Sequence, residues 1–380
     1  MSAATGTLIK QLRVAKGWSQ GKLASELSKV SGFNMSREYI SRNWESGKTE
    51  PSSFWLRHLA TVLDCPPELL EADVNRREFL SHLAATSIAP VVASDLLSQG
   101  FSARLHSTGP TVEQWEGTLA QYGTDYMSQG AAQIQQRLAA DLVVLQQQLD
   151  SPRMWAIAAR LMTLFAKTYP GSDGNKAISW YRMAADAADR SGDTDIRVWV
   201  RGRAAIALGY EGASLPVAHT FADQALGISE RHSLGRLNAI WGKAHAAALE
   251  GDRATARELI DTGRREFEVS YSEEQTSDYA VPWWRVNVFL SLLAARLGEE
   301  RLAVKAQDDA RAELPPELPR FATHLEMHRG LMLVRAGDSD QGVKLARAAL
   351  DALPQEKHSL TLRMLMEEIA GPNHSGSVAT

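Results

Sequence analysis

The chain has almost no cysteine and no long apolar run. Its 380 residues include a single cysteine, Cys65, which excludes an internal disulfide and a cysteine-based zinc site. Cys65 lies in Asp64-Cys65-Pro66-Pro67 with no histidine beside it, which indicates a structural thiol rather than a nucleophile. No segment approaches the run of about 20 apolar residues that a membrane-spanning helix needs. We therefore expect no segment that crosses a membrane.

Motifs of catalysis are also missing. The chain has no Gly-x-x-x-x-Gly-Lys-Ser/Thr phosphate loop and no Gly-x-Ser-x-Gly nucleophile turn. His324 and His328 stand four residues apart and could share a metal ion, but Glu326 between them would point to another helix face. That order differs from the His-Glu-x-x-His pattern of metalloproteases. We therefore predict no enzyme, no metal site and no cofactor.

The net charge of −4 is divided unevenly along the chain. Residues 1–63 contain nine lysines or arginines and four glutamates, a net charge of +5, whereas the remainder carries −9. A small basic module on a larger acidic body favours an anionic partner for the N-terminal module alone. Nucleic acid is the leading candidate, although charge by itself also allows a membrane surface.

The basic module shows the apolar spacing of short amphipathic helices. Ser19 and Ser36 are placed to N-cap the second and third of them, and Gly47 to end the third. In the third helix, Ile40 and Trp44 are predicted to face the core. The predicted helices cover residues 8–16, 20–30, 37–46, 54–63 and 66–70.

The motif residues of this module are Trp18-Ser19-Gln20, Leu23-Ala24, Ile40-Ser41-Arg42, Trp44-Glu45-Ser46-Gly47-Lys48, Pro51, Leu59-Ala60 and Leu63. This combination resembles the XRE, or lambda-repressor-like, helix-turn-helix family. The resemblance implies a five-helix domain that binds a double-stranded DNA operator and reads it with its third helix. Two features depart from compact members of the family. The segment between the second and third helices is longer, and Asn43 is one extra residue, which leaves the register of the base-facing positions open by one.

The predicted DNA contacts form two groups. Side chains at the exposed N-terminal half of the third helix would read base edges, and these are Ser36, Arg37, Glu38, Ser41 and Arg42. Polar residues elsewhere in the module would contact phosphates, and these are Gln20, Lys22 and Lys48. The alternative for Arg37 and Arg42 is an ordinary solvated helix face.

A twin-arginine string, Arg76-Arg77, precedes an apolar stretch that ends at Val92, as in an export signal. Its position behind a foldable basic module argues against export. We interpret residues 77–97 as a linker helix, and an exported protein cleaved near Ala89 stays as an alternative. The predicted boundaries are 1–72 for the helix-turn-helix domain, 73–110 for the linker, 111–370 for a helical repeat domain and 371–380 for a disordered tail.

Glycines that follow predicted helices recur every 38 to 47 residues, at Gly174, Gly212, Gly251, Gly298 and Gly337. A period near 38–40 with two helices per unit fits a tetratricopeptide-like α-solenoid. The longest interval contains an inserted loop, residues 270–281, which could act as a flap. No segment has the period of a strand, so the predicted fold class is all-α. The predicted first helices are 155–169, 197–210, 237–249, 283–297 and 321–336, second helices include 254–267 and 339–353, 360–369 is a capping helix, and 112–149 contains two more helices.

The two parts together resemble transcription regulators of actinobacterial type in which a tetratricopeptide-like domain controls an XRE-type domain. Better-known members take part in quorum sensing: they respond to secreted peptides and hold the peptide backbone with helix-borne asparagines. The resemblance implies a cytoplasmic, nucleoid-associated homodimer with a peptide or small-molecule effector and no membrane partner. The candidate effector-binding residues on the first helices are Trp199, Arg201, Asn238, Trp241, His245, Trp284, Arg285, Asn287, His324 and His328.

Each of these assignments has an alternative. The tryptophans could be repeat core, and a buried asparagine could bond a neighbouring helix instead of a ligand. For the whole protein, the alternative is an interaction scaffold. Its solenoid would recruit a protein partner, and its basic module would only direct the protein to DNA.

Overall fold

The computed structural model describes residues 6, 9, 10, 12, 13, 16, 18–49, 51–63, 109–129, 131–169 and 174–371. The chain divides into two compact units, Met1–Asp95 and Leu96–Thr380, called here the head and the repeat unit. All regular structure in the described residues is helical, which confirms the all-α prediction. No helix in this part of the chain is long and apolar enough to cross a membrane.

The head contains two helices that begin at side-chain caps. Ser19 Oγ accepts a hydrogen bond from the N–H of Lys22, and Ser36 Oγ accepts one from the N–H of Tyr39, each at 3.1 Å. Such caps satisfy backbone donors that have no partner within the helix. Both predicted N-caps are therefore confirmed. The helices of the head whose bounds lie within the described residues are α1 (Gln20–Ser31), α2 (Arg37–Tyr39, continued by a π-helical turn over Ile40–Trp44) and α3 (Ser53–Leu63).

The extra residue near Asn43 coincides with the π-helical turn. The N–H of Glu45 donates to the carbonyl of Ile40, five residues back instead of four, at 2.9 Å. A π turn holds one residue more than an α turn, so an insertion fits without reversing the helix faces. Ile40 and Trp44 are 0% and 1% exposed, as predicted, and Arg42 stays exposed. The core of the head is Ile9, Leu23, Ala24, Leu27, Met35, Ile40, Trp44, Leu59, Ala60, Val62 and Leu63.

The described part of the repeat unit is a series of helices that pack in successive pairs. The pairs are α6 with α7, α8 with α9, α10 with α11, α12 with α13, and α14 with α15, and α16 follows as a cap. This arrangement confirms the predicted repeat of two-helix units. The helices are α4 (Val112–Ser128), α5 (Ala131–Leu145), α6 (Pro152–Ala166), α7 (Gly174–Ser191), α8 (Thr194–Glu211), α9 (Leu215–Ile228), α10 (Leu234–Leu249), α11 (Arg253–Ser270), α12 (Trp283–Leu297), α13 (Glu300–Glu313), α14 (Pro319–Arg335), α15 (Ser339–Asp351) and α16 (Leu360–Ala370).

Four of the five predicted turn glycines follow a first helix in the left-handed conformation. The φ angles of Gly212, Gly251, Gly298 and Gly337 are 75°, 84°, 67° and 99°. Glycine adopts this region without the steric cost of a Cβ atom, so the chain can leave one helix and start the next. Gly174 also lies between the two helices of its pair, but it is itself the first residue of the second helix, α7.

The first helices α8 and α10 meet at backbone distance. A Cβ atom on Gly202 would lie 1.9 Å from the carbonyl oxygen of Gly235, and one on Gly209 would lie 2.3 Å from that of Gly242. Any larger residue would force the helices apart. These four glycines therefore set the closest crossing between neighbouring repeats.

The last helix returns to the middle of the array. Thr361 Oγ1 on α16 donates to Glu211 Oε1 on α8 at 2.9 Å. Arg296 on α12 donates from Nη2 to the carbonyl of Tyr210 at 3.0 Å and to Glu368 Oε2 on α16 at 2.8 Å. These bonds join α8, α12 and α16 around one interior region.

Some predictions concern residues outside the described part of the chain. They are the helix 66–70 with Cys65, the twin-arginine string, the linker helix 77–97, and the tail beyond residue 371. Of the first predicted helix, residues 9, 10, 12 and 13 are described and helical.

Candidate functional site

In the head, the exposed side of α2 carries charged residues. The side chains of Arg37 and Glu38 are 67% and 59% exposed, with their nearest nitrogen and oxygen 3.6 Å apart. Arg42 in the π turn is also exposed, whereas Ser41 is half-buried. Since the core residues hold the opposite side of this helix, its charged side is free to meet another molecule.

Beside α2, a buried ion pair fixes the start of α1. Glu45 accepts from Arg13 Nε at 2.6 Å and from Gln20 Nε2 at 2.7 Å. The Glu45 side chain is 3% exposed, and its hydrogen bond raises the pKa of Arg13. Lys22, by contrast, pairs at the surface with Glu26 at 2.7 Å. Gln20 is therefore oriented by the head's interior, while Lys22 remains at the surface.

In the repeat unit, three cations surround one buried carboxylate. Asp278 Oδ1 accepts from Lys167 Nζ at 2.6 Å and from Arg285 Nη2 at 2.9 Å, and Oδ2 accepts from Arg203 Nη2 at 2.8 Å. Asp278 is 1% exposed. Burial raises the pKa of Asp278, but the three cations outweigh burial and hold the pKa well below its ordinary range. Asp278 is therefore ionised at neutral pH.

Asp278 belongs to the inserted loop between α11 and α12, and this loop is fastened to several helices. Arg285 Nη1 donates to the carbonyls of Ser277, Asp278 and Ala280 at 3.2, 3.0 and 2.8 Å. The N–H of Asp278 donates to the carbonyl of Gly123 on α4 at 2.9 Å. Because its backbone is bonded at both these places, the loop holds the Asp278 carboxylate in a fixed position.

Asp278 and its cations line a cavity of about 80 Å³. One water molecule needs roughly 10–15 Å³ of such space, so the cavity has room for a small chemical group. Its polar lining includes Lys167, Arg203, Arg285, Arg320, Glu211 and His324.

Burial shifts the pKa values of several of these groups, Lys167 and Glu211 among them. Burial lowers the pKa of Lys167 well below its usual value, and the neighbouring Arg203 and Arg285 act in the same direction. Burial also raises the pKa of Glu211 to about 7, against the effect of the hydrogen bond from Thr361. Near neutral pH, Glu211 is therefore only partly ionised.

Three buried histidines lie close to Tyr210. His328 bonds Tyr210 Oη through Nε2 at 3.1 Å and Ser291 Oγ through Nδ1 at 3.0 Å. Burial lowers the pKa of His324 to about 3 and those of His245 and His328 well below the usual value, so all three are neutral. Within the described residues, no group of three or more histidine, cysteine, aspartate or glutamate side chains is placed to hold a metal ion.

Residues 9–70 match the family described as Helix-turn-helix. This part of the chain is a helix-turn-helix domain. No curated protein matches the chain. Among solved structures, PlcR of Bacillus thuringiensis, in complex with the peptide PapR7 and DNA, is similar with 19% sequence identity and a TM-score of 0.35, covering 70% of this chain and 95% of PlcR.

The helix-turn-helix domain exposes most of the residues predicted to contact DNA. Gln20 and Ser41 are half-buried, and Gln20 is bonded to Glu45. Ser36 also serves as the N-cap of α2. The exposed ones are Lys22, Ser36, Arg37, Glu38, Arg42 and Lys48.

Of the ten predicted effector-binding residues, Arg285 and His324 line the cavity. Two others hold the inserted loop: Trp199 packs on the Tyr279 ring at a centroid distance of 5.5 Å, and Trp284 Nε1 donates to the carbonyl of Gln275 at 3.2 Å. Both tryptophans thus have a structural role.

The other six predicted residues are buried and are not part of the cavity lining. Arg201 donates to Asp189 Oδ2 on α7 at 2.7 Å, and Asn287 Nδ2 donates to the carbonyl of Trp283 on its own helix at 2.9 Å. Asn238 is 1% exposed, and neither of its amide atoms has a hydrogen-bond partner among the described residues. The remaining three are Trp241, His245 and His328, each 0% exposed.

Sequence reasoning missed Lys167, Arg203, Arg320 and Asp278. The available signal was an arginine within an otherwise small and apolar helix segment, as Arg203 is in the segment 202–209. Arginine is seldom buried without a partner, so such a position points to a buried ion pair. The identity of that partner, in a loop 75 residues away, required the fold.

Proposed function

We propose that the chain is a sequence-specific DNA-binding transcriptional regulator whose repeat unit binds a peptide or small-molecule effector. The observation that carries this proposal is the helix-turn-helix domain at residues 9–70, with the charged side of its capped helix α2 exposed. A helix of this kind reads base edges in the major groove with its first residues. The PlcR structure, which contains both a peptide and DNA, has the same combination of partners.

Arg37 and Arg42 are the proposed base-reading residues, with Ser36, Glu38 and Ser41 beside them. Lys22 and Lys48 are the proposed phosphate contacts, and Gln20, positioned by Glu45, joins them at the start of α1. A cation that contacts phosphate raises affinity for every sequence, whereas a bidentate contact to a base raises it for one.

The regulator acts as a homodimer in this proposal, because one reading helix per protomer matches one half of a two-fold symmetric operator. It acts in the cytoplasm on nucleoid DNA, where operators are found. No catalytic activity forms part of the proposal.

The effector changes DNA affinity by binding unequally to the DNA-competent and DNA-incompetent arrangements of the dimer. The cavity of the repeat unit supports this part. Its volume of about 80 Å³ suits a small molecule or the end of a peptide rather than a folded protein partner.

Recovery of DNA crosslinked to the full-length protein in its native cell tests the proposal. We expect a small number of sharp sites that share an inverted repeat. The same experiment with Arg42→Ala should lose those sites while diffuse DNA recovery remains. Diffuse recovery with the unaltered protein as well would contradict sequence-specific regulation and favour the scaffold alternative.

A further inference from the structure

The cavity of the repeat unit holds more positive than negative charge. Four cationic side chains line it, namely Lys167, Arg203, Arg285 and Arg320, and Asp278 is their ionised counter-ion. Even if Lys167 is neutral, three arginines face one carboxylate. An uncompensated buried charge is costly, so this lining lacks at least one negative group.

Glu211 offsets the excess only in part. It lies on the same wall, accepts from Thr361 at 2.9 Å, and is only partly ionised because burial raises its pKa to about 7. Among the lining cations, Lys167 lowers that pKa and the arginines do not act on it, so Glu211 does not serve as their counter-ion. Arg320 forms no ion pair with any described residue: its Nη2 donates to the carbonyl of Tyr126 at 3.1 Å, and its guanidinium lies over the Tyr126 and Phe321 rings. The charge of Arg320 is thus the one least matched by the protein itself.

Three polar atoms of the lining residues also have no hydrogen-bond partner among the described residues. They are Nε of Arg203, Nε of Arg285 and Nδ1 of His324. These side chains belong to residues that are 3%, 4% and 4% exposed. Buried polar atoms are nearly always hydrogen-bonded, so these three atoms leave hydrogen-bonding capacity unused on three elements around one cavity.

Part of the remaining lining is apolar. Ile206 and Ala207 on α8, Val288 and Phe289 on α12, and Phe321 on α14 form these walls. A free inorganic anion makes no use of such surfaces, whereas the hydrocarbon part of an organic anion buries its own apolar area against them.

We propose that this cavity is the binding site for the carboxylate of an organic acid, either a free small acid or the C-terminus of a peptide, with Asp278 remaining in place as the internal counter-ion. The contacts of Asp278 show the mode of binding, since arginine and lysine donors approach both of its oxygens at 2.6–2.9 Å. Arg320 contributes the main charge toward the ligand. The inference rests on the proposed function only in regarding this anion as the effector.

The test measures binding without DNA, so it is independent of the proposed DNA function. The melting temperature of the full-length protein is recorded with the sodium salts of acetate, hexanoate and phenylacetate, and with N-acetyl-Leu-Phe. Sodium chloride at equal ionic strength and the amide of each acid are the matched controls. We expect at least one carboxylate to raise the Tm by about 2 °C or more, and its amide and chloride to have no such effect.

The compound that raises the Tm identifies the source of the carboxylate. Stabilisation by the free small acids alone assigns the site to a small acid, and stabilisation by the dipeptide alone assigns it to a peptide C-terminus. The proposal is overturned if no carboxylate stabilises the protein, or if the amides act equally.

Variants on α14 locate the site. Arg320→Met should abolish the carboxylate effect, whereas Arg329→Met, on the exposed side of the same helix, should retain it. An undiminished response of Arg320→Met would place binding elsewhere and overturn the proposal.

A second pair of variants does not depend on the choice of probe or on how Arg320→Met folds. Ala207 lines the cavity, so Ala207→Glu would tether a carboxylate there, and Ala207→Gln is the uncharged control. If the cavity lacks an anion, Ala207→Glu has the higher Tm of the two at pH 7.5 and no longer responds to added carboxylates. The opposite order of Tm would show that the cavity does not favour a second negative charge.

Discussion

The two units of this protein differ in how exposed their arginine side chains are and in how those side chains are paired. On α2 of the head, the Arg37 side chain is 67% exposed and its one carboxylate neighbour is an exposed residue. In the repeat unit, the Arg203 side chain is 3% exposed and fixed on Asp278. An exposed guanidinium keeps its hydration until a polyanion such as DNA arrives, whereas a buried one needs a partner at all times. In the functions proposed above, the same residue type would serve a large external anion in one unit and a small anion in a cavity of the other.

The largest effect expected from this difference is at Asp278. Asp278→Asn should lower the free energy of unfolding by about 3–5 kcal/mol, because it leaves buried cations without their counter-ion. Asp223→Asn is the control: Asp223 pairs with Lys243 at the surface, where its side chain is 60% exposed, so about 1 kcal/mol or less is expected. Urea unfolding measures both. Equal losses of unfolding free energy would mean that the buried cluster contributes no more to stability than a surface ion pair.

The packing of the repeat unit also depends on the close crossing of α8 and α10. Gly202→Ala should cost about 3 kcal/mol, since the new Cβ atom would meet the carbonyl of Gly235 and push the helices apart. Gly227→Ala on α9 has open space around its Cβ and should instead stabilise by up to about 1 kcal/mol through helix propensity. Thermal unfolding of the two variants should give shifts of opposite sign. An unchanged melting temperature of Gly202→Ala would show that the two helices can move apart at the crossing without loss of stability.

In the head, exposed arginines are expected to affect binding rather than folding. Arg42→Ala should weaken operator binding by about 1–3 kcal/mol more than non-specific binding, with the melting temperature unchanged. Lys29→Ala, exposed at the far end of α1 beside Glu26, is the control and should affect neither. Fluorescence anisotropy with operator and scrambled duplexes measures the difference. A loss of the same size on both duplexes would make Arg42 a phosphate contact.

The smallest effect concerns Glu211 and depends on pH. Its pKa of about 7 in the fold exceeds the ordinary value of 4.5, so the protonated carboxyl stabilises the fold below pH 4.5 and this contribution is lost as the pH rises through 7. Glu211→Gln stays neutral and should be more stable than the unaltered protein at pH 8 by roughly 2 kcal/mol, with the difference shrinking toward pH 5. Denaturant unfolding at both pH values tests this. A difference that does not change with pH would show that Glu211 is ionised in the fold.

Local patterns in the sequence were sufficient to predict the helices. The caps at Ser19 and Ser36, the turn glycines from Gly212 onward and the repeat period rest on interactions between residues a few positions apart, and the structure confirms them. Gly174 shows the limit: a glycine at a suitable interval can begin a helix instead of ending one.

The candidate site in the repeat unit was only partly predictable. Arg285 and His324 were identified because they lie on first helices, but the same criterion selected Arg201, whose guanidinium faces α7. Periodicity gives the position of a residue along a helix, and it does not give the curvature of the array that decides which faces enclose a cavity.

The sequence by itself determined the all-helical class, the helix-turn-helix domain and the two-helix repeat, because each follows from local spacing and short-range hydrogen bonds. The tertiary structure alone decided that Lys167, Arg203 and Arg285 converge on Asp278. Those contacts join residues up to 111 positions apart. Ion pairs over such separations depend on how whole helices pack, and local sequence patterns do not predict that packing.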